Sequence, residues 1–93
     1  MKAVYNLVGM RFHPGATDLL KKLPNGEPLV LLRDPNNPYD AAAIQVHARG
    51  HMLGHLKANA EQKQLAKRMD VDGAPQPAAK LVAGMWPQVE VDE

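Results

Sequence analysis

The sequence predicts a mainly β fold in which five to six strands, with one substantial helix, curl into one small barrel. Three observations predict it. Eight prolines and seven glycines cut 93 residues into short segments, and short segments suggest strands. Several of those segments alternate with period two or carry β-branched runs. A chain of 10.2 kDa holds one core, because a second would need roughly 50 further residues.

Taken in order, residues 3–9 (AVYNLVG) are β-branched and aromatic enough for a first strand. Gly9 leads into a loop, Met10 to Gly15, that ends in Pro-Gly. Thr17 is placed to cap a short helix, with Asp18 in its first turn and Leu19, Leu20 and Leu23 on one face. Pro24-Asn25-Gly26 stops that helix. The continuous apolar run at residues 29–33 (LVLLR) reads as a buried strand, and it empties into the heptapeptide Asp34-Pro35-Asn36-Asn37-Pro38-Tyr39-Asp40. Residues 43–48 alternate, Ile44, Val46 and Ala48 against Gln45 and His47, and Arg49-Gly50-His51 turns them into a second hairpin arm at 52–56. Asn59 opens an amphipathic helix as N-cap, with Gln62 as its capping-box partner and Leu65, Ala66 and Met69 facing inward. Asp72-Gly73-Ala74-Pro75 ends it. Closing strands follow at about 79–85 and 88–91, the last with Val89 and Val91 inward. A barrel of OB-like or SH3-like size closes such a set.

Composition removes several function classes. With no cysteine there is no disulfide scaffold, thiol chemistry or cysteine-ligated zinc. With no serine, no G-x-x-x-x-G-K-[ST] and no G-x-G-x-x-G, serine hydrolases, phosphate-loop ATPases and dinucleotide enzymes are excluded. No apolar run approaches the roughly 20 residues of a membrane span, and Asn6 and Arg11 interrupt any signal-peptide core. The expected setting is the cytoplasm, near the nucleoid if the source is bacterial. Formal net charge is +1, but three of ten acids, Glu90, Asp92 and Glu93, lie in the last four residues. Residues 1–87 therefore carry 11 bases and 7 acids, a body of +4 followed by an acidic tail at 90–93.

Three constellations invite chemistry. Asp34 and Asp40 flank two asparagines, yet Pro35 and Pro38 break the alternation a calcium loop needs, which favours a structural turn or polar binding loop. His47, His51 and His55 are four apart, which on a helix would align them for zinc, but Gly50, Gly54 and the period-two pattern put them on a hairpin, where they do not stack. Phe12 and Tyr39, two of only four aromatics, fall in loops. Beside Arg11 and His13, and beside Asn36, Asn37 and Asp40, they suit stacking on single-stranded nucleic acid; they equally suit lids folded over the barrel ends.

The motifs themselves resemble a known family. Val8-Gly9-Met10-Arg11-Phe12, then LLRDPNNPYDAAAIQV at 31–46, then Leu53-Gly54-His55-Leu56-Lys57 before a helix, are similar to the HIRAN domain, found at the N-terminus of Swi/Snf-type DNA repair helicases and as stand-alone bacterial and phage proteins. The resemblance covers about residues 4–91, within a single domain spanning 1–93. It implies a modified OB-like barrel of about six strands with two helices that holds the 3′ end of single-stranded DNA. Carried over, Arg11 would bind phosphate, Phe12 and Tyr39 would clamp a base, and Asp40 would accept the 3′-hydroxyl. Asn37 would order its loop or touch the terminal nucleotide, and His55 and Lys57 would follow the backbone. His13 stands where relatives often carry a hydroxylated aromatic, and Ala58 where a further lysine is common; both departures imply weaker or altered binding.

The expectation is thus a monomeric DNA-binding module in a repair or replication-fork context. It needs no metal or other cofactor, catalyses no reaction, and works beside a helicase or nuclease partner. Two alternatives stand against it. One is an adaptor that recruits a repair or mobile-element enzyme; the other is a metal-dependent nuclease in which Asp34, Asp40 and the histidines converge on an ion.

Overall fold

Side-chain alternation decides the strands. In the computed structural model, which describes residues 2–93, β1 (Lys2–Val8) turns Tyr5 and Leu7 inward while Val4 and Asn6 face out. A short 3-10 turn, Met10–Phe12, and helix α1 (Ala16–Lys22) follow. Then come β2 (Pro28–Arg33), β3 (Ile44–Ala48), β4 (His51–Leu56), helix α2 (Ala60–Met69), β5 (Ala78–Val82) and β6 (Gln88–Asp92). The strands close in the order β1-β4-β3-β2-β5-β6, with β6 returning to β1 and every neighbouring pair antiparallel. The expected six-stranded barrel with two helices is therefore the observed one.

Each strand shows one face to the core and one to solvent. Ile44, Val46 and Ala48 of β3 are buried as their alternation predicts, and Val89 and Val91 of β6 likewise. Tyr5, Leu31, Leu53 and Leu81 fill the space between them, and α2 adds Leu65 and Ala66 to the same cluster. Fully burying one such leucine is worth about 1.5–3 kcal/mol. Tyr5 also donates its hydroxyl to Glu93, and burial together with that carboxylate pushes the phenol well above its ordinary pKa. The acidic C-terminal residues are folded onto the barrel: Glu90 pairs with Lys80 at 3.1 Å and Glu93 with Arg68 at 2.9 Å.

Local departures have identifiable causes. Thr17 does not cap α1; the N-cap is Gly15, two residues earlier, whose φ of 83° turns the chain into the helix at buried Ala16. β2 is not buried on both faces. Leu29 and Leu31 point in, but Val30 and Leu32 stay 52% and 44% exposed, since a single-layer barrel has only one dry side. β5 ends at Val82, so Met85 and Trp86 stand exposed on the turn to β6. Asn59 does cap α2, accepting from the Gln62 backbone nitrogen at 2.7 Å. The returning half of the capping box is absent, because the Gln62 side chain turns inward to the Ala42 carbonyl. Among the described residues no helix is long and apolar enough to cross a membrane.

Candidate functional site

Two loops and the end of β4 enclose an open groove of about 540 Å³. One wall begins where β1 gives out. Val8 pairs with His55 of β4, Gly9 turns at φ 81°, and the 3-10 turn then carries Phe12 and His13 back over the groove. This crossing requires glycine at position 54. A Cβ built there would lie 2.3 Å from the Val8 carbonyl oxygen, so the Gly54-His55-Leu56 sequence lets one backbone rest directly on another.

The opposite wall is the Asp34 to Ala43 loop, and asparagine organises it. The Asn37 Oδ1 accepts from the backbone nitrogens of Tyr39 (2.9 Å) and Asp40 (3.1 Å), while its Nδ2 donates to Asp34 at 3.1 Å. Asp40 in turn accepts from the Ala42 nitrogen at 2.9 Å. Arg33 staples the loop from below by donating to the carbonyls of Ala41 (2.8 Å) and Ala43, and is itself paired with Asp70 at 2.9 Å. Such side-chain to backbone bonds replace the ladder a proline-broken segment cannot make. The loop therefore has a defined shape although no regular element runs through it.

Six of the eight residues singled out from the sequence line this groove: Phe12, His13, Asn37, Tyr39, Asp40 and His55. Phe12 is 70% and Tyr39 95% exposed, so neither ring folds back as a lid. Arg11 and Lys57 do not line it. Arg11 sets its guanidinium 4.9 Å from the centroid of the Phe12 ring, and Lys57 sits exposed between the groove residues Leu56 and Ala58.

Asp34 was legible only as a possible cation ligand, yet it links both walls: it accepts from Asn37 and, at 3.2 Å, meets Nε2 of His55. Those two contacts, Asn37 first, hold its carboxyl below the usual carboxylate pKa. The rings of His13 and His55 lie 6.2 Å apart, and His47, bonded to Gln45 at 2.9 Å, completes a histidine-rich flank. Burial, followed by the charges of His13 and His55, pushes the His47 pKa down. Among the described residues no group of three or more His, Cys, Asp or Glu could hold a metal ion, so Asp34, Asp40 and the histidines do not converge as the nuclease alternative requires. Gln62 also reaches Asp40 from α2. It lies on the same inward stripe as Leu65 and Ala66, but the sequence reads it as a capping-box partner.

Comparison with known proteins adds a family to this geometry. A family model described as the HIRAN domain matches residues 2–75. Helicase-like transcription factor of Homo sapiens is 43% identical over 53 residues, and that of Mus musculus 40% over 52 residues, covering 56% and 55% of this chain. The chain spans about 5% of the length of these curated relatives. Among solved structures, the HIRAN domain of human HLTF superposes with a TM-score of 0.72 and 31% identity, over 97% of this chain and 74% of the other. A protein from Lactobacillus plantarum shares the fold, with a TM-score of 0.74 at 21% identity over 99% and 100% of the two chains.

Proposed function

Because this chain belongs to the HIRAN family, we propose that it is a nucleic-acid-binding module that holds single-stranded DNA by its 3′-hydroxyl end. The observation that carries the reading is the convergence of two exposed aromatic rings and one carboxylate on a single groove, with the Arg11 guanidinium beside one of the rings. Phe12 and Tyr39 offer faces on which bases stack, each worth about 1–3 kcal/mol. Arg11, Lys57, His13 and His55 would follow phosphates, and Asn37 would serve by fixing the loop that presents Tyr39 and Asp40. Asp40 distinguishes the end. A terminal hydroxyl is neutral and donates to a carboxylate, whereas a terminal phosphate brings like charge and no donor.

With two stacked bases and a few screened phosphate contacts, the dissociation constant should be about micromolar. Each phosphate contact should add about −0.7 to the salt slope. The reading assigns binding and no reaction, and it places the module beside a DNA-processing motor or nuclease. Fluorescence anisotropy with 3′-hydroxyl, 3′-phosphorylated and duplex oligonucleotides at two salt concentrations tests it. The free hydroxyl end should bind tightest, and Asp40→Ala should erase that preference. Identical titrations for free and blocked ends would remove the end-binding assignment. Absence of any binding at low salt would leave the protein-adaptor alternative in its place.

A further inference from the structure

Gln62 is a polar side chain wholly removed from solvent, and it comes from α2 rather than from the loops that line the groove. Its Nε2 donates to the Ala42 carbonyl and reaches Oδ2 of Asp40 at 3.4 Å. The second contact is long for a hydrogen bond, so Ala42 is the firm anchor and Asp40 the weaker one. Its Oε1 is buried with no partner. An apolar residue of the same shape would spare the protein that unsatisfied carbonyl. Turning the amide over gives no relief, because Oε1 would then face two acceptors, the Ala42 carbonyl and the Asp40 carboxylate.

The gain lies in the loop. Oδ1 of Asp40 is held by the Ala42 nitrogen at 2.9 Å, and Oδ2 faces the Gln62 amide. Each oxygen is thereby tied to a different donor while keeping lone-pair capacity for a further one. Gln62 thus steadies both the turn that carries Asp40 and the carboxylate itself, from a helix that contributes no wall to the groove.

We infer that Gln62 is the positioning residue of the end-binding group: it holds the Asp40 carboxylate and the Ala42 carbonyl in place, so that an arriving 3′-hydroxyl meets an oriented acceptor. The inference rests on the reading of Asp40 given above. A preoriented acceptor spares the strand the cost of ordering it at the moment of binding.

Two substitutions and one spectroscopic measurement test this. Gln62→Met keeps the shape and removes the donor. Its affinity for a 3′-hydroxyl oligothymidylate should fall about tenfold, the order expected for one charge-assisted hydrogen bond, while affinity for the 3′-phosphorylated strand stays unchanged. A purely structural role would weaken both strands together, in step with the melting temperature. Gln62→Glu donates only when protonated, so its hydroxyl preference should be present at low pH and vanish as the pH rises. A wild-type hydroxyl preference in the methionine variant, or a pH-independent one in the glutamate variant, overturns the inference and leaves the Asp40 reading standing. Absence of the preference in the unaltered protein overturns both. If neither variant folds, the side-chain amide resonances of Gln62 in the unaltered protein decide: they must shift with the 3′-hydroxyl strand and stay in place with the phosphorylated one, and equal responses refute the role.

Discussion

Replacing Gly54 by alanine tests the wall of the groove at its foundation. The added Cβ would sit 2.3 Å from the Val8 carbonyl oxygen, 3.3 Å from the Val8 carbonyl carbon and 3.5 Å from the Met10 nitrogen. Real Cβ atoms essentially never approach closer than 3.0 Å, so the two backbones must separate by at least 0.7 Å, the difference between 3.0 and 2.3. The obstacle is main chain on both sides and cannot rotate away, as the end of a flexible side chain could. Overpacking costs about 1–3 kcal/mol, and a backbone obstacle belongs at the upper end. At about 4–8 °C per kcal/mol for a domain of this size, a cost of about 3 kcal/mol lowers the melting temperature by about 12–24 °C. The same displacement moves the turn that carries Phe12 and His13 away from His55, so oligonucleotide affinity should fall along with stability. Gly84→Ala is the matched control: no atom lies within 4 Å of its Cβ and its φ is not positive, so it should change stability by no more than about 0.5 kcal/mol. Thermal melts followed by circular dichroism and anisotropy titrations provide both readouts. If Gly54→Ala melts within a few degrees of Gly84→Ala and still binds, the close crossing of Val8 over β4 is not what builds the wall.

Phe12→Ala and Tyr39→Ala should each weaken single-strand binding by about 1–3 kcal/mol, roughly 5- to 150-fold, and leave the melting temperature almost unchanged because both rings are exposed; anisotropy and melting curves on the same preparations separate the two effects. His47 predicts a pH dependence of stability. Its pKa is depressed in the fold, so the unfolded chain takes up the proton first and stability falls as pH drops below about 6.5, the ordinary histidine value. His47→Gln should flatten that part of the profile in urea titrations at several pH values, and an unchanged profile would assign it to another group.

Much of the fold was legible because its signals are local. The alternation of Ile44, Val46 and Ala48, the cap at Asn59 and the inward pair Val89 and Val91 each depend on neighbours within a few residues, and each stands as expected. The loop of the candidate site was legible for a related reason: a proline-broken segment rich in asparagine and aspartate must be ordered by its own side chains, and Asn37 does this. What escaped depends on residues far apart in sequence. Val30 and Leu32 look buried until β2 takes its place in a single-layer wall with β3 and β5 on either side. Gln62 looks like half of a capping box until the 40–42 turn arrives to claim its amide. Gly54 resembles a turn residue, and only the passage of Val8 shows that the space above it is already taken. The Thr17 cap failed to a competitor next door, since Gly15 enters the helix without needing a side chain.

The antiparallel pairing of β1 with β6 sets Lys2 opposite Asp92, so both described ends of the chain leave the barrel side by side. Val8, where the groove begins, lies six residues up the same strand, about 20 Å away at roughly 3.3 Å per step. A barrel with adjoining ends can be spliced into a host polypeptide at one point without stretching it. The host would then stand off from the groove by about the reach of that one β-strand, as a handle stands off from a clamp.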